Sequence, residues 1–134
     1  MTVKGYKGYI FSRSVGGGFT PQRVQNLVIR EYAKKLNKVF QLSATEYYMD
    51  DCFLMLEALA DETQDMEAIV FYSTHLLPQD KNQRSKILEK FLKQKVEVHF
   101  ALEEIALSKL IDLELIEDIV MVRNLSVSDE GVHL

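Results

Sequence analysis

Four apolar runs of this chain each end in polar side chains; three endings carry hydroxyl groups with a charge or a histidine, and the fourth is a pair of glutamates. The four endings are Ser12-Arg13-Ser14, Ser43-Ala44-Thr45-Glu46, Ser73-Thr74-His75 and Glu103-Glu104. Helical patterns separate the runs, which predicts parallel strands joined by right-handed crossovers. The carboxyl ends of parallel strands share one edge of the sheet, where open α/β sheets bind ligands. The sequence therefore predicts that the four endings form one site.

Length and patterning predict a single α/β domain over residues 1–134, folded as a three-layer sandwich. The sheet is expected to be mainly parallel, flavodoxin-like and four- to five-stranded, with strands at 7–12, 39–42, 69–72 and 96–101. Helices are expected at 20–37, with Thr20 as N-cap, at 52–61 and at 80–94, with Asp80 as cap. Residues 110–122 fit a helix better than an edge strand, and 126–134 fit a frayed tail.

The cellular compartment is predicted from the absence of membrane and export signals. No apolar stretch reaches the ~20 residues of a membrane helix, and the N-terminus lacks an apolar signal core. The single cysteine, Cys52, lies among apolar residues and is interpreted as a buried, inert thiol. These features predict a cytoplasmic protein.

The charge is unevenly distributed along the chain. The net charge is −4, with +3 over residues 1–95 and −7 over residues 96–134. This balance argues against a dedicated nucleic-acid binder, which normally presents a concentrated basic face. The predicted third helix does carry a basic stripe, which is interpreted as a solvated helix face rather than a phosphate contact. Its members are Lys81, Arg84, Lys86, Lys90, Lys93 and Lys95.

The first strand ending has the parts of an anion site. Arg13 can pair with a phosphate or carboxylate, and Gly16-Gly17-Gly18 before a helix N-terminus lets the backbone approach closely. The glycine spacing matches neither the dinucleotide fingerprint nor the Walker pattern, so an ordinary flexible turn remains an alternative. Around Arg13, the predicted ligand-binding residues are Ser14, Gln22, Gln25, Ser43 and Ser73.

A histidine at the third strand ending suggests acid–base chemistry. We predict His75 and Glu46 as acid–base groups and Ser12 as their hydroxyl partner. No nucleophile-elbow motif is present, so the sequence does not decide whether the protein is an enzyme. His99 is interpreted as a packed strand residue. The dispersed histidines and Cys52 give no metal-ligand spacing, and the sequence identifies no cofactor.

The chain resembles the catalytic domain of serine recombinases (resolvases and invertases) over roughly residues 7–104. Similar features are the strand Tyr9-Ile10-Phe11-Ser12-Arg13-Ser14, the glutamine-bearing helix after Pro21, and a strand ending in Glu46. The resemblance implies a resolvase-like fold, with the nucleophilic serine aligning with Ser12 or Ser14. The family's Asp-Arg-Leu-x-Arg motif is replaced by Thr74-His75-Leu76-Leu77-Pro78, so the arginines that would stabilise a DNA phosphate are missing there.

A second resemblance, to the sporadic carbohydrate cluster proteins of bacterial surface-glycan loci, covers nearly the whole chain. Its motifs include Gly8-Tyr9-Ile10-Phe11-Ser12-Arg13 and Leu42-Ser43-Ala44-Thr45-Glu46-Tyr47. It implies a role in lipopolysaccharide O-antigen or capsule biosynthesis and supplies no reaction.

Three functional hypotheses follow from the residues and the resemblances. The leading prediction is a protein that binds an anionic sugar derivative, such as a nucleotide-sugar or sugar phosphate, with nucleic acid an improbable partner. The alternatives are a non-enzymatic oligomeric or regulatory module, including a homo-oligomer, and a degenerate recombinase-like nucleic-acid binder without strand-exchange activity.

Overall fold

The protein is a mixed α/β domain built on one five-stranded, mostly parallel sheet. The computed structural model describes residues 4–14 and 18–132, and side chains as far as residue 125. The sheet order is β2-β1-β3-β4-β5, and only the last pair is antiparallel. The strands are β1 (Gly5–Ile10), β2 (Phe40–Thr45), β3 (Met66–Phe71), β4 (Glu97–Phe100) and β5 (Ile105–Leu107). The predicted fold class is confirmed.

Four helices cover the sheet unequally. They are α1 (Gln22–Lys35), α2 (Leu54–Asp61), α3 (Lys81–Lys93) and α4 (Leu113–Val132). A core cluster with Ile29 and Tyr32 joins α1 to one face of the sheet. A larger cluster on the other face takes Leu56 from α2, Phe91 from α3 and Ile116 from α4. Among the described residues, α1 therefore forms one layer and the other three helices form the second.

The central strands are buried on both faces, as expected for a parallel sheet covered by helices. Ile69, Val70 and Phe71 of β3 have no exposed surface, and their side chains alternate between the two core clusters. Strands β1 and β3 pair in parallel, with Tyr9 opposite Phe71. Their carboxyl ends consequently lie side by side, which brings the first and third polar endings to the same edge.

Ser43 lies inside β2 and not at its end, because the strand continues to Thr45. Its hydroxyl faces Gly8 of β1: a Cβ built on Gly8 would lie 2.1 Å from Ser43 Oγ. This oxygen is buried and has no hydrogen-bond partner among the described residues. Ser43 therefore fills the space that Gly8 leaves between two strands, and its position corrects the expectation that it lines the sheet edge.

Three further differences from the predicted elements have local causes. Strand β5 was not predicted, because three residues are too few to show a strand period. Pro21, and not Thr20, occupies the N-cap of α1, and no side chain caps that helix end. Helix α4 follows a short 3₁₀ turn and runs to Val132, through most of the segment where the sequence predicts a frayed tail.

Two helix ends agree with the sequence. Asp80 caps α3 by accepting a hydrogen bond from the backbone N–H of Gln83. Helix α1 ends before Asn37, whose φ of 57° places it in the left-handed region that asparagine tolerates after a helix.

Candidate functional site

At the carboxyl edge of the sheet, the first polar ending contacts the second through Ser12 and Glu46, and the third contacts the fourth through Ser73 and Glu103. Two cavities open there, with volumes of about 120 Å³ and 290 Å³. Arg13 and His75 line both of them. Gln25 and Ser73 line the smaller cavity, and Ser14 lines the larger one beside Asp50 and Asp51. Gly16, Gly17 and His133 lie outside the described residues.

Arg13 is buried, and its guanidinium is bound by the chain itself. Nη1 donates hydrogen bonds to the carbonyl oxygens of Tyr47, Met49 and Cys52, at 2.8, 2.9 and 3.1 Å. The guanidinium carbon lies 4.0 Å from the centre of the Phe11 ring, a cation–π contact. Arg13 thus holds the loop that follows β2 in place, and the same residue lines both cavities.

Glu46 is buried and accepts hydrogen bonds from several groups of the chain. Oε1 accepts from the Tyr9 hydroxyl at 2.7 Å and from the Leu56 N–H at 3.2 Å. Oε2 accepts from the N–H groups of Tyr47 and Met55, at 3.1 and 3.0 Å. Two of these donors belong to the first turn of α2, where a carboxylate is favoured by the helix dipole. Neither cavity lining contains Glu46 among the described residues.

The Tyr9 hydroxyl that faces Glu46 stays protonated. Burial raises the pKa of Tyr9, and the hydrogen bond to Glu46 and its negative charge raise it further. A protonated phenol can donate to the carboxylate, so the two buried groups satisfy each other.

The predicted amide and hydroxyl ligands have different surroundings. Gln25 is buried, and its amide bonds to both the N–H and the C=O of Phe11, at 3.0 and 2.9 Å, and to the C=O of Thr20, at 2.7 Å. This clamp joins α1 to the end of β1. Ser12 makes a long 3.4 Å bond to the backbone of Glu46, whereas Ser14 and Gln22 are exposed.

A hydrogen-bonded cluster joins the ends of β3 and β4. Glu103 Oε2 accepts from Ser73 Oγ at 2.8 Å, from Thr74 N at 2.9 Å and from Thr74 Oγ1 at 2.6 Å. Arg123 of α4 donates to Thr74 Oγ1. Ser73 and Thr74 are both about 1% exposed, so neither hydroxyl is accessible to a macromolecular substrate in this conformation.

His75 is the exposed member of this edge. Partial burial and the Arg123 cation lower the pKa of His75, although the Glu103 carboxylate acts in the opposite direction. A lowered pKa keeps the imidazole neutral at pH 7, which is the form that can accept a proton. Its role as an acid–base group stays a prediction.

Two contributors to this edge were not predicted from the sequence. Thr74 belongs to the third strand ending, and Arg123 lies outside all four endings. A lone arginine in a helical stretch carries no spacing signal. Only the packing of α4 against the end of β3 reveals it.

His99 is a packed strand residue, in agreement with the sequence-based interpretation. It is 3% exposed; its Nδ1 lies 2.6 Å from the Tyr32 hydroxyl and its Nε2 lies 2.9 Å from Glu97. The tautomer with the proton on Nε2 satisfies both partners, so His99 belongs to a hydrogen-bonded network that is buried at Tyr32 and partly exposed at Glu97.

The remaining surface shows an apolar area on the C-terminal helix. Leu115, Met121, Val122 and Leu125 of α4 are each 47–60% exposed. A homo-oligomeric module, predicted from the apolar sequence of this segment, stays a prediction.

No described helix is long and apolar enough to cross a membrane. Within the described part of the chain, no group of His, Cys, Asp and Glu is arranged to hold a metal ion.

Comparison with known proteins gives structural neighbours and no sequence relatives. No protein-family model and no curated protein sequence matches the chain. The chain is similar in structure to the N-terminal catalytic domain of TP901-1 integrase, with a TM-score of 0.61 and 17% identity over 92% of this chain and 97% of that chain. It is also similar to a resolvase family site-specific recombinase from Streptococcus pneumoniae, with a TM-score of 0.57 and 9% identity over 96% and 94%.

These neighbours support the resolvase-like layout and correct the functional prediction. Both are recombinases, and nothing in the comparisons supports the carbohydrate cluster family. The predictions of a surface-polysaccharide role, of a sugar phosphate or nucleotide-sugar ligand and of an improbable nucleic-acid partner were therefore wrong. The error arose from short shared motifs, several of which the structure places in internal contacts, such as the Tyr9–Glu46 hydrogen bond.

Proposed function

We propose that this protein is a nucleic-acid-binding domain with a recombinase-like fold that does not catalyse strand exchange itself. The observation that carries the proposal is the similarity to recombinase catalytic domains over more than nine-tenths of each compared chain. A similarity of that extent supports a DNA-related role. A cytoplasmic location belongs to the same proposal and rests on the lone Cys52.

The absence of strand exchange is inferred from the hydrogen bonding at the sheet edge. A serine nucleophile that attacks a DNA phosphate needs cationic groups aimed at the developing negative charge. Arg13 is held by three backbone carbonyls, and Arg84 is engaged with Glu117 and two further carbonyls. Arg123 bonds to Thr74. Among the described side chains, none of these arginines is hydrogen-bonded to a serine hydroxyl.

The proposal predicts binding without cleavage. Fluorescence anisotropy with a labelled 30-base-pair duplex should show an affinity that weakens steeply as salt rises from 50 to 200 mM, because phosphate contacts release counterions. Incubation with supercoiled plasmid should leave the plasmid intact and yield no protein–DNA adduct on denaturing gels. Ser12→Ala and Ser14→Ala should bind as the wild type does. Nicking that disappears in either variant would contradict the non-catalytic part, and absence of binding at 50 mM salt would contradict the proposal as a whole.

A further inference from the structure

The exposed side of α1 carries three cations in line, spaced by about two turns and then one turn. Arg23, Arg30 and Lys34 are all exposed, and at 3.6 residues per turn they lie within about 40° of one another around the helix axis. Ile29 and Tyr32, which pack on the sheet, lie on the opposite side of the helix. The three cations therefore point away from the protein, along a line that we call the α1 stripe.

The cations of the α1 stripe are not neutralised by the described part of the chain. Arg23, Arg30 and Lys34 form no salt bridge with any described residue, although the neighbouring Lys35 pairs with Glu104 and Lys38 pairs with Glu67. Residues 22–38 hold five cations and one carboxylate, a net charge of +4 in a protein of net charge −4. The unpaired cations of α1 thus lie on one line, whereas the α3 lysines without a described ion pair, Lys81 and Lys86, lie about 140° apart around their helix.

The basic stripe predicted on α3 has different surroundings. Arg84 of that stripe is buried against Glu117, Lys90 pairs with Asp61 and Lys93 lies 3.8 Å from Glu89. Helices α2 and α4, which share the layer with α3, bring most of these carboxylates. Half of the cations that the sequence groups on α3 therefore already have an anionic partner.

The two helix layers consequently differ in charge. Helix α1 has a net charge of +3, whereas α2, α3 and α4 of the other layer together have a net charge of −2. A polyanion approaching such a protein is attracted to one layer and repelled by the other, which orients the encounter. The overall negative charge does not prevent binding at a face that is locally positive.

The dimensions of the α1 stripe match a phosphate backbone. At 1.5 Å per residue, about 10 Å separates Arg23 from Arg30 along the axis and about 6 Å separates Arg30 from Lys34. Phosphates on one strand of a duplex are spaced by about 3.4 Å along the axis, so the three cations can reach different phosphates. The guanidinium carbon of Arg30 also lies 5.6 Å from the centre of the Phe40 ring, a cation–π contact. This contact already restricts the side chain, so Arg30 would lose less conformational entropy on binding.

We propose that the α1 stripe is the surface by which this protein contacts the phosphate backbone of duplex DNA, on the face of the sheet away from α3 and α4. The inference rests on the proposed nucleic-acid-binding function and adds the contact surface. Binding through this stripe is independent of base sequence, since phosphate contacts fix position and carry no sequence information.

Two matched triple variants test the inference. The first replaces the α1 stripe (Arg23→Gln, Arg30→Gln, Lys34→Gln), and the second replaces three exposed lysines of α3 (Lys86→Gln, Lys90→Gln, Lys93→Gln). Both lower the net charge by three and place a good helix former at exposed positions. Similar thermal midpoints are expected, since the exposed ion pairs of Lys90 and Lys93 contribute at most about 1 kcal/mol each. Affinity for the labelled duplex is measured for each variant from 50 to 200 mM salt.

The α1 variant should bind roughly tenfold more weakly or worse at 100 mM salt, and its plot of log affinity against log salt should be shallower by up to about three units. The α3 variant should stay within about threefold of the wild type. Equal losses in the two variants, or an unchanged α1 variant beside a DNA-binding wild type, would overturn the inference and leave the proposed function in place. A wild type that does not bind would overturn both.

Discussion

Replacement of Glu46 by alanine should lower the free energy of unfolding by roughly 3–5 kcal/mol, the largest single-residue effect expected from the described contacts. The carboxylate accepts hydrogen bonds from the Tyr9 hydroxyl and the Leu56 N–H, which are buried, and from the N–H groups of Tyr47 and Met55, which are partly buried. Alanine would leave these donors without partners, and each unsatisfied buried donor costs about 1–3 kcal/mol, partly offset by local relaxation. Urea denaturation followed by far-UV circular dichroism measures the change.

Tyr9→Phe is the matched control for this prediction. It removes one donor and leaves the carboxylate with its three N–H partners, so it should cost about 1–3 kcal/mol and less than Glu46→Ala. A Glu46→Ala protein that keeps its wild-type stability would show that the carboxylate does not hold α2 against β1. Glu46 would then be available again as an acid–base group of the sheet edge.

Arg84→Met should be nearly as damaging, with a loss of about 3–5 kcal/mol in the free energy of unfolding. The guanidinium is 4% exposed and binds both oxygens of Glu117, at 2.8 and 2.7 Å, and the carbonyls of Pro78 and Gln79. Removing the guanidinium leaves a partly buried carboxylate and two carbonyl groups without their donor. The substitution also removes the ion pair that links α3 to α4. Denaturation at pH 7 measures the loss.

The pH dependence of stability gives a second, independent test of the same ion pair. The hydrogen bond from Arg84 holds the pKa of Glu117 below its usual value, despite the opposing effect of burial. A lowered folded-state pKa contributes stability that is present above the unfolded-state value of about 4.5 and is lost as the pH falls through the folded-state value. Glu117→Gln should therefore remove part of the wild type's loss of stability below pH 4.5. Parallel curves for the two proteins would contradict the pairing.

The course of the chain through the sheet was predictable because its signals are local and repeated. The apolar run Ile69-Val70-Phe71 predicts a strand that is buried on both faces, and Asp80 is a typical N-cap residue for α3. Strand β5 escaped detection because its three residues leave no measurable period, and its antiparallel pairing with β4 depends on a tight turn at Glu104, whose φ is 56°.

The sequence predicted where the candidate site lies, but it did not predict the hydrogen-bond partners of the site residues. Arg13, Glu46 and Gln25 do gather near the carboxyl edge, as the strand order requires. Their partners, however, are backbone groups such as the Tyr47 carbonyl and the Leu56 N–H. Backbone donors and acceptors are identical at every position of a sequence, so only the path of the loop after β2 decides which side chains they engage.

The distribution of charge over the fold was likewise not predictable from the sequence alone. The sequence groups cations most visibly along α3, where packing supplies carboxylates such as Glu117 and Asp61 from distant segments. The cations of α1 are fewer, but its layer contains no other described helix that could neutralise them. The negative net charge argues against a nucleic-acid partner. The positive charge along α1 is nevertheless compatible with one, because it is localised on one face of the fold.

A heteronuclear NMR titration of the isotope-labelled protein with a short DNA duplex tests the central claim most directly. We expect the amide shift changes to concentrate along α1, around Arg23, Arg30 and Lys34, and to diminish as salt is raised. The amides of Ser73, His75 and α3 should change little. Changes concentrated at the cavities lined by Arg13 and His75, or no changes at low salt, would contradict it.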